Sequence, residues 1–230
     1  MGGNGGMVVQ AGGHKTNNLI TRLLSAIVMI PPVIGIIYLG APYFHILVII
    51  GFIILIREWV KLCSSNILWS IFGISYFLLC SIALIQIRSI TGEGYEIILS
   101  LFIIVWASDS GAFVFGKILG GAKLAPKTSP NKTWSGFIGG VLCGGSTGII
   151  IGLLLKSNIL LIASVSVLIG VISQLGDLLE SRLKRLFGKK DSGTLIPGHG
   201  GLLDRVDGLL AAGLFLWILT ILFPSNIFYK

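Results

Sequence analysis

Long apolar runs without charge recur along this chain and limit what it can fold into. From Leu23 to Ile56 there is no Asp, Glu, Lys or Arg, and similar runs follow as far as residue 224. An α-helix needs about 20 apolar residues to cross a bilayer, and only structures that pair their own backbone groups are tolerated there. Strands of a membrane barrel would instead alternate apolar and polar residues over about 10 positions. The sequence therefore predicts an all-α, polytopic membrane bundle.

Composition agrees with this class and excludes others. Only 11% of the residues are charged and the mean hydropathy is +0.95, whereas ordinary soluble domains are roughly a quarter charged. The net charge of +8 is explained by cytoplasmic loops and anionic lipid headgroups. No nucleic-acid-binding motif accompanies it, so no nucleic-acid partner is expected.

Turn and polar signals divide the apolar sequence into seven predicted spans. Gly40-Ala41-Pro42 separates the first two, because such a turn interrupts a helix. The predicted spans are residues 20–39, 43–62, 67–87, 97–118, 134–155, 157–180 and 207–224. Residues 1–18 are expected to be a disordered or expression-derived extension. Residues 19–230 are expected to form a single transmembrane domain, with its catalytic half at about 100–224.

The distribution of positive charge predicts an orientation for these spans. With the N-terminus in the cytoplasm, 14 of the 17 Lys and Arg residues fall on the cytoplasmic side, as the positive-inside rule requires. The polar loops 119–133 and 181–206 then lie on that same face. A bacterial plasma membrane with a cytoplasmic-facing active site is the simplest setting.

The fifth span carries glycine at every fourth position. These glycines are residues 136, 140, 144, 148 and 152. In a membrane, a helix face without side chains lets another backbone approach closely. The spacing predicts tight helix packing, or a helix that also carries the 119–133 loop against the site.

Polar chemistry is concentrated in residues 173–208, which hold 5 of the 9 acidic residues. Asp177, Glu180, Ser181 and Lys184 are spaced so that they share one helix face. A solvated ion pair is the plainer interpretation. However, Asp177 follows 20 uncharged residues, and an ionisable group at membrane depth is costly. A functional role is therefore favoured.

A second acidic pair, Asp204 and Asp207, is spaced by one helical turn at the start of the seventh span. Carboxylates converging at a helix N-terminus could hold Mg²⁺, which binds one or two carboxylates together with substrate phosphates. For Asp204, helix capping is the alternative.

Between the two acidic groups lies the glycine-rich loop 197–201, whose backbone N–H groups could approach an anion. His199 in this loop is either a general acid or a hydrogen-bonding loop residue. Basic side chains around the loop would oppose phosphate charge; they are Lys184, Arg185, Lys189, Lys190 and Arg205. The 119–133 loop adds Lys123, Lys127 and Lys132, which suit either a phosphorylated ligand or lipid headgroups.

The order of these residues resembles the signature of the phosphatidate cytidylyltransferase (CDP-diacylglycerol synthase) family. The matching residues are Ser181, Lys184, Arg185, Lys190, Asp191, Gly193, Pro197, Gly198, His199, Gly200, Gly201, Asp204, Arg205 and Asp207. Asp109-Ser-Gly-Ala-Phe113 and Ser129-Pro-Asn-Lys-Thr-Trp134 resemble the family's upstream blocks, with Phe113 where Tyr is common.

This resemblance implies that the chain makes CDP-diacylglycerol and pyrophosphate from CTP and phosphatidic acid, with Mg²⁺ and with or without a second cation. A homodimer among membrane lipids is expected. Asp177 and Asp204 are the first metal candidates and Asp207 supports them; the implied catalytic set adds Lys184 and His199. The implied substrate-binding set is Asp109, Lys127, Lys132, Ser181, Arg185, Lys190, Asp191, Gly200, Gly201 and Arg205.

Two other functions would use similar residues. A CTP-dependent kinase of a polyprenol or another lipid alcohol would leave CDP instead of pyrophosphate. A transporter or lipid flippase would line a path through the membrane with its charges, but the charges of this sequence gather at one face.

Overall fold

The structure is a computed structural model that describes residues 31–64, 66–193 and 200–223. In these ranges the chain forms seven helices and one two-stranded antiparallel hairpin. The helices are residues 31–39 (α1), Tyr43–Leu62 (α2), Ile67–Arg88 (α3), Gly94–Leu119 (α4), Trp134–Leu154 (α5), Ile159–Leu186 (α6) and Leu203–Leu222 (α7). The strands are Lys123–Ala125 (β1) and Ser129–Thr133 (β2).

Helices α2 to α7 are each long and apolar enough to cross a bilayer. Large apolar side chains such as Ile53, Leu68 and Leu142 are exposed on their surfaces, where lipid would cover them. The predicted all-α membrane bundle is confirmed, and the chain is an integral membrane protein. Of the first predicted span, 20–39, the part from residue 31 is described and is helical. The predicted extension 1–18 lies outside the described residues.

Some predicted boundaries differ from the structure. Helix α6 continues to Leu186 instead of ending near 180, and α7 begins at Leu203 instead of 207. Hydropathy marks the edge of the membrane, whereas a helix continues as long as its polar side chains and its end find partners. The 119–133 segment, predicted as a loop, contains the β1–β2 hairpin.

The glycine face of α5 packs against both neighbouring helices. A Cβ added at Gly136 would lie 2.7 Å from the Ala112 carbonyl oxygen of α4, and one added at Gly152 would lie 3.0 Å from Ile159 Cα of α6. Only a residue without a side chain allows backbones to approach so closely. The predicted close packing of this helix is confirmed.

A second close approach brings α6 against α7. A Cβ added at Gly176 would lie 2.6 Å from Ala211 Cβ, and one added at Gly208 would lie 2.6 Å from Ser173 Oγ. The two helices therefore cross with their backbones near each other at these glycines. Each glycine is the sequence neighbour of an acidic residue, so this crossing determines how the carboxylates meet.

We predict that Gly208→Ala destabilises the bundle by about 1–3 kcal/mol, because the new methyl group overlaps Ser173. The matched control is Gly51→Ala on α2, where an added Cβ meets nothing within 4 Å. The thermal unfolding midpoint in detergent should fall for Gly208→Ala and stay equal or rise slightly for Gly51→Ala. Equal midpoints for the two variants would show that the crossing is not closely packed.

Candidate active site

Three carboxylates meet where α6 and α7 cross. Asp177 and Glu180 lie one turn apart on α6, and Asp207 lies in the second turn of α7. One oxygen from each lies within 4.8 Å of the others. Asp177 follows Gly176 and Asp207 precedes Gly208, so the glycine crossing is what places the two aspartates side by side.

Glu180 has one carboxylate oxygen free to bind a ligand. Its side chain is only 7% exposed, and Oε2 lies 2.6 Å from Lys184 Nζ. The other oxygen, Oε1, is buried and has no hydrogen-bond partner among the described residues. A buried polar atom in that state is unusual and is best satisfied by a ligand. Three carboxylates with such an oxygen fit a hard divalent cation such as Mg²⁺, whose ligands are oxygens.

Lys184 links the two acidic helices. Its Nζ lies 2.6 Å from Glu180 Oε2 on α6 and 2.6 Å from Asp204 Oδ1 on α7. All three side chains are nearly buried, at 11%, 7% and 10% exposed. One ammonium therefore offsets two carboxylates in a place where water screens little. Ser181 Oγ, on the same α6 face, donates a weaker hydrogen bond of 3.4 Å to Asp177 Oδ1.

The structure places Asp204 beside the three-carboxylate cluster rather than within it. Its Oδ2 accepts hydrogen bonds from the Gly201 N–H (2.9 Å) and the Ser192 N–H (3.1 Å). Together with the ion pair to Lys184, these contacts resemble the capping role that the sequence left open. The assignment of Asp204 as a metal ligand stays a prediction, and the geometry favours Glu180 in its place.

The β1–β2 hairpin brings Lys132 to the cluster. Lys132 Nζ lies 2.5 Å from Asp177 Oδ2. The next residue, Thr133, caps α5 by accepting the Gly136 N–H at 3.1 Å, and this fixes the direction in which β2 ends. Asp109 of α4 interacts electrostatically with both Asp177 and Lys132. The structure therefore brings together the predicted pair Asp109 and Lys132.

The described residues of both polar loops adjoin these carboxylates. Arg185 donates from Nε to the Thr128 carbonyl and from Nη1 to the Lys189 carbonyl, each at 3.3 Å. It thus joins the two polar loops, which the sequence predicted to lie on one face.

Gly200 has a φ of 84°, a left-handed conformation that favours glycine. The remaining predicted binding residues are exposed at this face; they are Lys127, Lys190, Asp191 and Arg205. His199 lies outside the described residues.

Sequence reasoning did not select Glu58, a residue of α2. This side chain is only 8% exposed, and it accepts hydrogen bonds from the N–H groups of Leu202 and Leu203, each at 2.9 Å. The available signal was an acidic residue directly after a charge-free run, between the cations Arg57 and Lys61. Nothing in the sequence showed which loop it would contact.

An apolar cavity of about 360 Å³ opens beside the carboxylates. It lies between α2, α3, α6 and α7, and its walls include Trp59, Phe72, Leu175 and Leu179. Glu180 and Asp207 also line it, so the cavity joins an apolar volume to the acidic cluster. Phe72, Leu175 and Leu179 are more than half exposed, and the cavity is therefore open at the lipid-facing surface.

These features define a membrane protein whose acidic, cation-rimmed site adjoins an apolar cavity. The cytidylyltransferase family model matches residues 64–223. Phosphatidate cytidylyltransferase of Rickettsia bellii is 36% identical over 228 residues, covering 93% of this chain and 98% of that protein. The chain belongs to the cytidylyltransferase family.

Further relatives agree. Phosphatidate cytidylyltransferase of Brucella suis is 41% identical over 184 residues, covering 77% of this chain and 67% of that protein. The protein of the same name from Staphylococcus epidermidis is 48% identical over 120 residues, covering 51% of this chain and 46% of that protein. The resemblance stated from the signature residues is therefore confirmed.

We predict that Lys184→Met lowers the free energy of unfolding by about 3 kcal/mol, because it leaves two nearly buried carboxylates without their cation. The control is Lys156→Met, which removes an exposed lysine between α5 and α6. Thermal unfolding in detergent should show a clear drop for Lys184→Met and little change for the control. Equal midpoints would contradict the role of Lys184 as the link between α6 and α7.

Proposed function

We propose that this protein transfers the cytidylyl group of CTP to phosphatidic acid, giving CDP-diacylglycerol and pyrophosphate. The observation that carries the proposal is the acidic cluster of Asp177, Glu180 and Asp207 at the polar end of an apolar cavity. The relatives with which the chain aligns are named phosphatidate cytidylyltransferase. A site that combines carboxylates, cations and an apolar cavity fits a nucleotide and a lipid phosphate as joint substrates.

In this reaction a phosphate oxygen of phosphatidic acid forms a bond to the α-phosphorus of CTP. The bond from that phosphorus to the bridging oxygen of the β-phosphate breaks, and pyrophosphate leaves with the electron pair. No proton has to move for this exchange to balance. The chain therefore needs to align the two phosphates and to stabilise charge on the leaving group, which is catalysis by positioning and electrostatics.

Asp177, Glu180 and Asp207 would hold Mg²⁺, with or without a second cation. When bound, the cation would supply positive charge to the phosphate oxygens of the substrates. Asp204 would keep Lys184 and the loop in place beside it. Lys132 would approach the phosphates from the hairpin side, where it now pairs with Asp177.

The cationic rim would orient the polyphosphate of CTP. Arg205, Lys190 and Lys127 are exposed at the face where the two polar loops meet. Cations there raise the local concentration of an anionic substrate and select for phosphate. Arg185 already binds two backbone carbonyls, so its contribution would be to hold the loops together.

The apolar cavity would take an acyl chain of phosphatidic acid. Its walls are aromatic and aliphatic, and its open side faces lipid, so a chain can enter without crossing water. Glu180 and Asp207 at its inner end would place the cation next to the lipid phosphate. Because the chain would pass from one apolar medium to another, van der Waals packing against these walls, and not removal from water, would retain the lipid there.

We further propose a bacterial plasma membrane, with the N-terminus and both polar loops in the cytoplasm. The support is the 14 to 3 division of Lys and Arg between the two faces, which follows the positive-inside rule. CTP would then reach the site from the cytoplasm and phosphatidic acid from the bilayer. A homodimer is proposed from the family resemblance.

The test measures pyrophosphate release and labelled CDP-lipid in micelles of detergent and phosphatidic acid. We predict turnover that depends on Mg²⁺ and falls by about 10²–10³-fold in Asp207→Asn, which keeps the side-chain shape but removes the charge. The control is Glu93→Gln, a change at the start of α4 on the opposite face, which should keep parental turnover.

Three outcomes would contradict the proposal. Release of CDP in place of pyrophosphate would assign a CTP-dependent lipid kinase. A folded parent protein without nucleotide turnover would favour a transporter. Full activity of Asp207→Asn would show that the reaction takes place elsewhere in the chain.

A further inference from the structure

Glu58 connects α2 to the segment that carries the site, although it lies outside the residues 64–223 that define the family match. Its Oε1 accepts the Leu202 N–H at 2.9 Å, and its Oε2 accepts the Leu203 N–H at 2.9 Å. Oε2 also accepts the hydroxyl of Ser192 at 3.3 Å. Both oxygens of one buried carboxylate are thus used to bind the chain on either side of the glycine-rich loop.

The start of α7 needs such a partner. The first N–H groups of a helix have no acceptor within the helix, and they form the positive end of its dipole. The N-cap residue of α7 is Leu202, which makes no side-chain cap. Glu58 provides the missing acceptor and a negative charge from a different helix. The interaction is stronger than a neutral cap because the acceptor is ionised.

The surrounding backbone is shaped to admit this carboxylate. A Cβ added at Gly193 would lie 2.9 Å from Glu58 Oε1, and one added at Gly201 would lie 2.6 Å from Glu58 Oε2. Lys189 makes a second connection between the same loop and α2, donating to the Lys61 carbonyl at 2.5 Å. Helix α2 therefore holds the loop before and after its glycine-rich part.

These contacts lead directly to the acidic cluster. Gly201 and Ser192, which both adjoin Glu58, donate their N–H groups to Asp204. Asp204 pairs with Lys184, and Lys184 pairs with Glu180 of the cluster. Since Asp204 lies in the first turn of α7, the position of that turn also determines where Asp207 points in the second.

We propose that Glu58 is a positioning residue for cytidylyl transfer, a role that rests on the function proposed above. Without touching a substrate, Glu58 holds the first turn of α7 so that Asp207 and Asp204 keep their places opposite α6. Its loss leaves the bundle folded but lets this turn and Ser192 move. Because the effect falls on alignment, it lowers kcat more than it changes the KM for CTP.

The experiment compares Glu58→Ala and Glu58→Gln with the parent protein in detergent. We expect Glu58→Ala to lower kcat by about 10–100-fold, as for groups that orient active-site ligands, with the KM for CTP within about twofold. Glu58→Gln should fall between the two, because its amide oxygen can still accept one of the N–H groups. The matched control is Glu93→Ala, which removes a glutamate at the start of α4 that makes no cap hydrogen bond.

Hydrogen exchange provides a readout that does not depend on turnover. In Glu58→Ala, the amides of residues 200–206 should exchange about 10-fold faster, since Leu202 and Leu203 lose their charge-assisted acceptor and the turn around them opens more often. Amides of α5, which is remote from Glu58, should keep their parental rates. Faster exchange confined to 200–206 together with a lower kcat supports the positioning role.

Other results would overturn the inference, and they separate it from the proposed function. Parental kcat in Glu58→Ala refutes the positioning role while leaving the transferase intact. Hydrogen exchange that is faster throughout the bundle in Glu58→Ala, and equally fast in Glu58→Gln, also refutes the role. It would show that Glu58 contributes only to the overall stability of the fold. A parent protein that releases no pyrophosphate refutes the proposed function itself.

Discussion

The close crossing of α6 and α7 is the constraint on which the site depends. Because Gly176 and Gly208 carry no side chains, the helices approach until Asp177 and Asp207 lie beside each other. Carboxylates at that distance repel, and the repulsion is strong where water is scarce. Lys132 pairs with Asp177 and Lys184 pairs with Glu180, so the two cations offset part of the negative charge of the cluster. The unpartnered oxygen of Glu180 is where a cation would offset the remainder.

The N-terminal helices support this arrangement from outside the acidic cluster. Trp59 packs edge-on against Phe187 just after the end of α6, with ring centroids 6.4 Å apart. Its neighbour Glu58 binds the start of α7. Helix α2 thus contacts both ends of the segment that joins the two acidic helices. The predicted catalytic half at about 100–224 omits this contribution.

Sequence patterns predicted the features that lie within a single helix. Apolar runs predicted the spans, and the spacing of Asp177, Glu180 and Lys184 predicted their shared face. Contacts between helices were harder to predict from the sequence. They depend on how the helices cross, and the spacing of residues along one helix does not reveal this. Asp204 was therefore grouped with the metal candidates although it pairs with Lys184. Glu58 was missed because its partners lie more than 130 residues further along the chain.

The most direct test of this account is to locate a bound divalent cation. Crystals of the protein grown with Mn²⁺ in place of Mg²⁺ would show the ion by anomalous scattering. The account predicts a peak between α6 and α7, within coordination distance of oxygens of Asp177, Glu180 and Asp207. A peak on Asp204 with Glu180 unliganded, or no peak near these helices, would contradict it.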